Sequence, residues 1–368
     1  MYRALRPLLF RLDAEAAHDT AQRAAKLAQA GGPAAVRALF RFEHAALRQR
    51  VLGLDVANPV GLAAGFDKNA ELVPFWAALG FGFAEVGSVT ARPSAGNPKP
   101  RAFRLPDDRA LINRMGLNNE GADAVAERLE ALRSDRSAQT LPLGVNLAKT
   151  HDPAILGDAA TADFLFSFRR LAPLADYVAL NVSCPNTAEG KTFEEPAAFD
   201  ALLAAVMDAR AEMRLAVPVL VKLSPPHTAS FDPGPVDELV EIALGHGVAG
   251  FVATNTASNR KGLTTPDARL SEIGRGGLSG RPLAARATAL VRHLYGRTDG
   301  RVPIIGVGGI DSAEAAYRRI RAGASLVQLY TALVYEGPGL VGRINKGLVR
   351  LLESDGLTSI ADAVGADA

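Results

Sequence analysis

The chain has 368 residues, 48% of them hydrophobic and 22% charged, with a formal net charge of +2. That is ample apolar material for a core, with an ordinary charge content, and the near-neutral balance gives no case for nucleic acid binding as a whole-protein property. No apolar stretch approaches the ~20 residues of a membrane-spanning helix, and the single cysteine, Cys184, excludes an intrachain disulfide.

The first 45 residues differ from the rest. Leu5, Leu8, Leu9 and Leu12 recur at helical spacing among Arg3, Arg6 and Arg11, and an alanine-rich segment from Ala14 to Ala30 ends at Gly31-Gly32-Pro33. The pattern predicts two short helices followed by a breaker. They could simply cap a core, or lie as a basic amphipathic arm on an anionic membrane surface. The early apolar run Leu8-Leu9-Phe10 is broken by Arg11 and Asp13, so no cleavable signal peptide is expected and the compartment is read as reducing and cytosol-facing.

From residue 58 onward, short apolar runs alternate with helix-like stretches. The runs are Val60–Ala63, Phe83–Gly87, Leu143–Asn146, Tyr177–Asn181, Val219–Leu223, Phe251–Thr254, Ile304–Val307 and Leu326–Leu329. They lack polar alternation, as parallel strands covered by helices do. Between them fall Ala122–Leu132, Phe199–Met213, Val236–His246, Leu283–Leu294 and Ala313–Ala322. Eight strand–helix units predict an α/β protein, a closed (β/α)8 TIM barrel over residues 46–368 with residues 1–45 as a helical N-terminal extension.

In such a barrel, function collects where the strands end. Every predicted strand end carries a candidate group: Lys68, Ser88 with Thr90, Asn146, Asn181 to Asn186, Lys222 with Ser224, Thr254-Asn255-Thr256, Gly308-Gly309, and Tyr330-Thr331. Gly306 to Ser312 offers glycines for close backbone approach and then Asp311 or Ser312 as a helix cap, a phosphate site at the expected barrel position. Gly276 to Pro282 reads as a second glycine-rich loop on the same face. Lys68 and Lys222 could be surface lysines, a Schiff-base lysine, or cations facing an anionic ring or carboxylate. Asn113, Asn146, Asn181, Asn186 and Asn255 favour a flat, imide-like ligand with a carboxylate. Cys184 lies in a polar, turn-prone segment, so it is either a packed thiol or a reactive one.

The segments Gly61 to Asn69, Asn113 to Asn119, Asn181 to Thr187, Gly277 to Pro282, Ile304 to Ile310 and Val327 to Thr331 resemble, in order, those of the dihydroorotate dehydrogenases. The opening, from Met1-Tyr2 to Ala17-His18, resembles the membrane-associated class 2 enzymes, which pass electrons to quinone. The resemblance implies oxidation of (S)-dihydroorotate to orotate in pyrimidine (UMP) biosynthesis, with one FMN per chain as hydride acceptor, quinone as final acceptor and no metal. It implies peripheral association with the cytoplasmic face of the inner membrane and no nucleic acid partner. Carried over by position, FMN contacts Ala64, Gly65, Lys68, Ser88, Asn146, Asn181, Lys222, Thr254, Gly280, Gly309, Tyr330 and Thr331. Substrate contacts Lys68, Asn113, Arg114, Met115, Gly116, Leu117, Asn181, Asn186, Asn255 and Thr256, while His18 and Arg104 match polar residues of a quinone tunnel roofed by the N-terminal helices.

By the same resemblance, Cys184 is the base that takes the substrate C5 proton, with Ser183 as support, and Lys222 stabilises the reduced ring. Here the chain departs from its class, because class 2 members usually carry serine as the base and cysteine is the class 1 habit. A free thiol has a pKa of ~8.5, so a few per cent is thiolate at neutral pH. The alternatives are a soluble class 1-like enzyme using another acceptor, whose arm merely packs on the barrel, and a non-catalytic flavin-binding scaffold at the membrane surface.

Overall fold

A computed structural model describes residues 2–135, 141–183 and 193–368. The eight predicted runs form the barrel: β1 (Val60–Leu62), β2 (Phe83–Val89), β3 (Leu143–Leu147), β4 (Tyr177–Asn181), β5 (Val219–Leu223), β6 (Gly250–Ala253), β7 (Ile304–Val307) and β8 (Leu326–Leu329). All neighbours are parallel and in sequence order, and β8 closes on β1 through Val327↔Val60 to Leu329↔Leu62. Both strand faces are covered, one by barrel interior and one by helices, which is why nearly every strand residue is buried and apolar runs replace alternation.

The N-terminal mouth is sealed. Gln49–Val51 and Leu54–Val56 form an antiparallel hairpin whose Val51 and Val56 join Phe83, Ala179, Leu220, Val252, Ile305 and Leu326 in one apolar cluster. Polar chemistry is thereby restricted to the other end. There Ala102–Leu105, Ala110–Asn113 and Gly277–Gly280 make a three-stranded antiparallel sheet. The sequence predicts a glycine-rich loop for the last of these; its glycines instead pair with Ala110–Asn113, and a 3-10 turn follows at Arg281–Leu283.

The N-terminal segment has three helices rather than two: α1 (Tyr2–Leu9), α2 (Ala14–Ala30) and α3 (Ala34–Phe40). Asp13 caps α2 by accepting from Glu15 N and Ala16 N. Gly31-Gly32-Pro33 ends α2 as expected, but Pro33 also precedes a new helical turn, where its fixed φ is preorganised. Polar ties hold α1 and α2 to the barrel. Tyr2 Oη donates to Val334 O at 2.6 Å, Gln22 Nε2 to Phe66 O at 3.0 Å, and Lys26 pairs with Glu71 at 2.5 Å. Leu8, Leu27 and Leu39 remain 63%, 75% and 75% exposed. Among the described residues, no helix is long and apolar enough to cross a membrane.

Candidate active site

A cavity with about 1240 Å3 of unfilled space, its mouth included, opens at the C-terminal ends of the strands. On its floor stand Ser88 from β2, Asn181 from β4, Lys222 from β5 and Gln328 from β8. The β2–β3 ladder slips between Gly87 and Val89, which takes Ser88 out of strand pairing and gives it to the pocket.

The floor is a row of hydrogen bonds running one way. Asn255 Nδ2 donates to Asn181 Oδ1 at 3.0 Å, and Asn181 Nδ2 donates to Ser88 Oγ at 3.1 Å. Ser88 Oγ donates to Asn146 Oδ1, and Asn146 Nδ2 donates to Glu85 Oε1 at 2.9 Å. The row therefore ends on a carboxylate. Glu85 is fully buried; Gln328 Nε2 and Tyr177 Oη also donate to it, at 2.9 and 3.2 Å, and Lys222 Nζ lies 3.6 Å away. Burial, with Glu85 close by, pushes the Tyr177 phenol well above its usual pKa and keeps it a neutral donor.

One wall is a backbone cradle. Gly280 (φ 99°) and Gly309 (φ 72°) sit in the left-handed region, and a Cβ would meet Arg109 O at 2.5 Å from the first and Ala284 at 2.6 Å from the second. Ser312, not Asp311, caps the next helix (Ala313–Arg321), accepting from Ala315 N, whereas Asp311 pairs with Arg281 at 2.7 Å. Behind the cradle the buried Arg319 donates to Gly308 O at 2.8 Å and Ala284 O at 3.1 Å, fixing both backbones, and burial lowers it to about 9. Close-approaching glycines beside a helix N-terminus suit a phosphate.

The opposite wall is Lys68. Burial, reinforced by the Arg101 guanidinium, pulls its ammonium down to about 8. Lys68 and Met115 also line a second cavity, of about 710 Å3, whose other side is α2 through Glu15, His18, Asp19 and Gln22. Burial and the Lys68 charge lower His18 to about 4; its Nε2 is buried without a partner, and its ring meets Phe66 edge-on at 5.1 Å. Phe66 in turn meets Tyr330 of the first cavity at 5.2 Å. Glu15 and Arg101 form a buried ion pair at 2.8 Å.

Of the twelve positions read as cofactor contacts, all but Asn146 line the first cavity, and Asn146 stands behind Ser88. Asn113, Met115, Gly116, Leu117, Asn255 and Thr256 line it too. Arg114 does not: it turns outward to Ile273 O and Pro100 O and lies over Phe103 at 4.7 Å. His18 borders the second cavity, whereas Arg104 caps the arm, donating to Leu9 O and Leu12 O with its guanidinium 4.7 Å from the Phe10 ring. Cys184 and Asn186 lie outside the described residues. The sequence pattern does not single out Glu85, Tyr177 and Gln328, although a glutamate inside the apolar run Phe83-Ala84-Glu85-Val86 is a usable signal.

Fold and site together define a (β/α)8-barrel protein with a deep polar pocket and a backbone anion cradle at the C-terminal rim. The dihydroorotate dehydrogenase family model matches residues 46–352, and the chain belongs to that family. A relative from Anaeromyxobacter dehalogenans (strain 2CP-C), named dihydroorotate dehydrogenase (quinone), is 47% identical over 367 residues, covering 100% of this chain and 97% of that protein. One of the same name from Deinococcus deserti is 48% identical over 377 residues, covering 100% of both. The DHODH of Eimeria tenella crystallised in complex with ferulenol superposes with a TM-score of 0.85 at 34% identity, covering 96% of each chain.

Proposed function

We infer that the chain oxidises (S)-dihydroorotate to orotate, the redox step of pyrimidine biosynthesis, with FMN in the barrel pocket and quinone as final acceptor. The observation that carries this is the joining of an anion cradle to a one-directional amide row in a single cavity. The cradle fits a phosphate: at Gly280 and Gly309 a side chain would fill the space against neighbouring backbone, so both positions allow a ligand to approach the main chain closely. The floor fits a ring with carbonyl and imide edges, offering Lys222, Asn181 and Ser88.

Bound FMN would supply the acceptor for the C6 hydride and pass the electrons on to quinone. Lys222 would neutralise negative charge growing at the ring edge, and being fixed in advance it needs no reorganisation. Lys68, between the two cavities, would hold the substrate carboxylate with help from Asn113 and Asn255. Cys184 would accept the C5 proton as thiolate. Its chain neighbour Ser183 is anchored by donating to Lys222 O at 3.2 Å and by accepting from Asn255 Nδ2. The sequence Ser183-Cys184-Pro185-Asn186 supports that assignment.

The proposal extends to organisation. Residues 1–45 would form a unit resting peripherally on the cytoplasmic face of the cell membrane, and residues 46–368 the catalytic barrel; the family model beginning at residue 46 and the exposed Leu8, Leu27 and Leu39 support this. Quinone would enter between α2 and the barrel, past His18 and near Arg104.

Anaerobic stopped-flow tests the reading. Dihydroorotate should bleach the flavin, and quinone should restore its colour. Bleaching that fumarate but not quinone reverses would instead support the class 1-like alternative; a yellow protein that never bleaches would support the scaffold.

A further inference from the structure

We propose that Glu85 is the positioning residue of the pocket floor: through Lys222 and Asn146 it sets how strongly the site favours the reduced flavin. The inference rests on the flavin reading above. Glu85 sits one layer below the pocket, on the inward face of β2, and water does not reach it. A carboxyl group in such a place depends on its partners, and here they converge from four strands. Asn146 (β3), Tyr177 (β4) and Gln328 (β8) donate to it, and Lys222 (β5) supplies the opposite charge at 3.6 Å.

Two consequences follow from this geometry. Accepting from Asn146 Nδ2 fixes that amide with its oxygen toward Ser88, and so fixes the sense of the row through Ser88 and Asn181 to Asn255. Every donor in that row is polarised toward the carboxylate. Secondly, Glu85 offsets part of the Lys222 charge that the ring edge would otherwise feel in full. The carboxylate therefore restrains reduction while it holds the ammonium in place. Neutralising it should tilt the flavin toward the reduced form.

The test is the midpoint potential of the flavin in full-length, flavin-loaded protein, measured by equilibration with reference dyes. Glu85→Gln keeps the shape and should raise the reduced-to-oxidised ratio at fixed poise about tenfold, near 30 mV for a two-electron couple. Glu85→Asp keeps the charge and should stay within about threefold of the parent. A loaded Glu85→Gln protein with an unchanged or lowered potential overturns the proposal. If that variant does not fold or load, Tyr177→Phe and Gln328→Leu replace it. Each withdraws one donor from an intact carboxylate, so the potential must fall, and no fall overturns the proposal equally. A parent protein that binds no flavin sinks the functional reading itself; a parent that bleaches with dihydroorotate while the variants keep its potential sinks only the role of Glu85.

Discussion

The two cavities that meet at Lys68 and Met115 differ in how they hold their polar groups. In the barrel pocket charge comes compensated and fixed: Glu85 faces Lys222, and the amide row passes its donors in one direction to a carboxylate. On the arm side the Glu15–Arg101 pair is compensated too, but burial pulls two other groups toward neutrality, His18 to about 4 and Lys68 to about 8, and the His18 Nε2 has no partner. A floor assembled from strands of one closed barrel can be preorganised to fractions of an ångström. A cavity closed by a helix tied down through a few polar contacts cannot, and it suits a ligand that enters and leaves.

The largest effect expected is on the barrel side alone. Cys184→Ala should slow flavin reduction by dihydroorotate ~100-fold or more, the worth of a general base, with flavin content and reoxidation by quinone unchanged in stopped-flow traces. Deleting residues 1–45 should do the reverse, weakening quinone reduction by about tenfold while the bleaching step stays near the parent rate; equal losses in both half-reactions would make the arm structural. Gly309→Ala forces a side chain into the left-handed region against Ala284, a cost of ~1–3 kcal/mol. Fluorescence titration of the apoprotein should show about tenfold weaker FMN binding, with riboflavin, which lacks the phosphate, little changed.

Two smaller effects concern the arm. Among the described residues, Glu15→Ala leaves the buried Arg101 side chain with only the Ala95 and Asn97 carbonyls, which should cost about 3 kcal/mol by calorimetry. The last is a pH effect. The folded chain holds His18 at about 4 against an ordinary value of 6.5. Between those two values the unfolded chain binds more protons, so His18 is neutral and harmless above 6.5 and drains stability as pH falls toward 4. His18→Phe should flatten part of the parent's acid slope in thermal melts taken from pH 7 to 4; identical slopes would remove His18 from that balance.

The barrel was legible because burial on both faces writes parallel strands as continuous apolar runs, and each began within a residue of its predicted position. The rim lysines and asparagines were visible as polar interruptions at the ends of those runs. The antiparallel side sheet was not, since Gly277-Leu278-Ser279-Gly280 carries no strand signal and is ordered by pairing with Ala110–Asn113, far away in sequence. Neither was the role of Glu85, because a single acidic residue mid-strand declares its cost but not its partners, which arrive from four other strands. Arg114 stands apart for another reason: its neighbours line the pocket, but the end of a strand turns alternate side chains away.

Lys68 gives the molecule a property that neither cavity has alone. An anion bound in the barrel pocket would raise the lysine's proton affinity and keep it charged above pH 8, and that charge would be felt on the far side of the same wall. Occupancy of the two chambers would then be joined in one thermodynamic cycle. By linkage, whatever factor the pocket's anion contributes to the affinity of an electron-rich guest beside α2, the guest returns undiminished to the anion. The size of that factor can be read from either end.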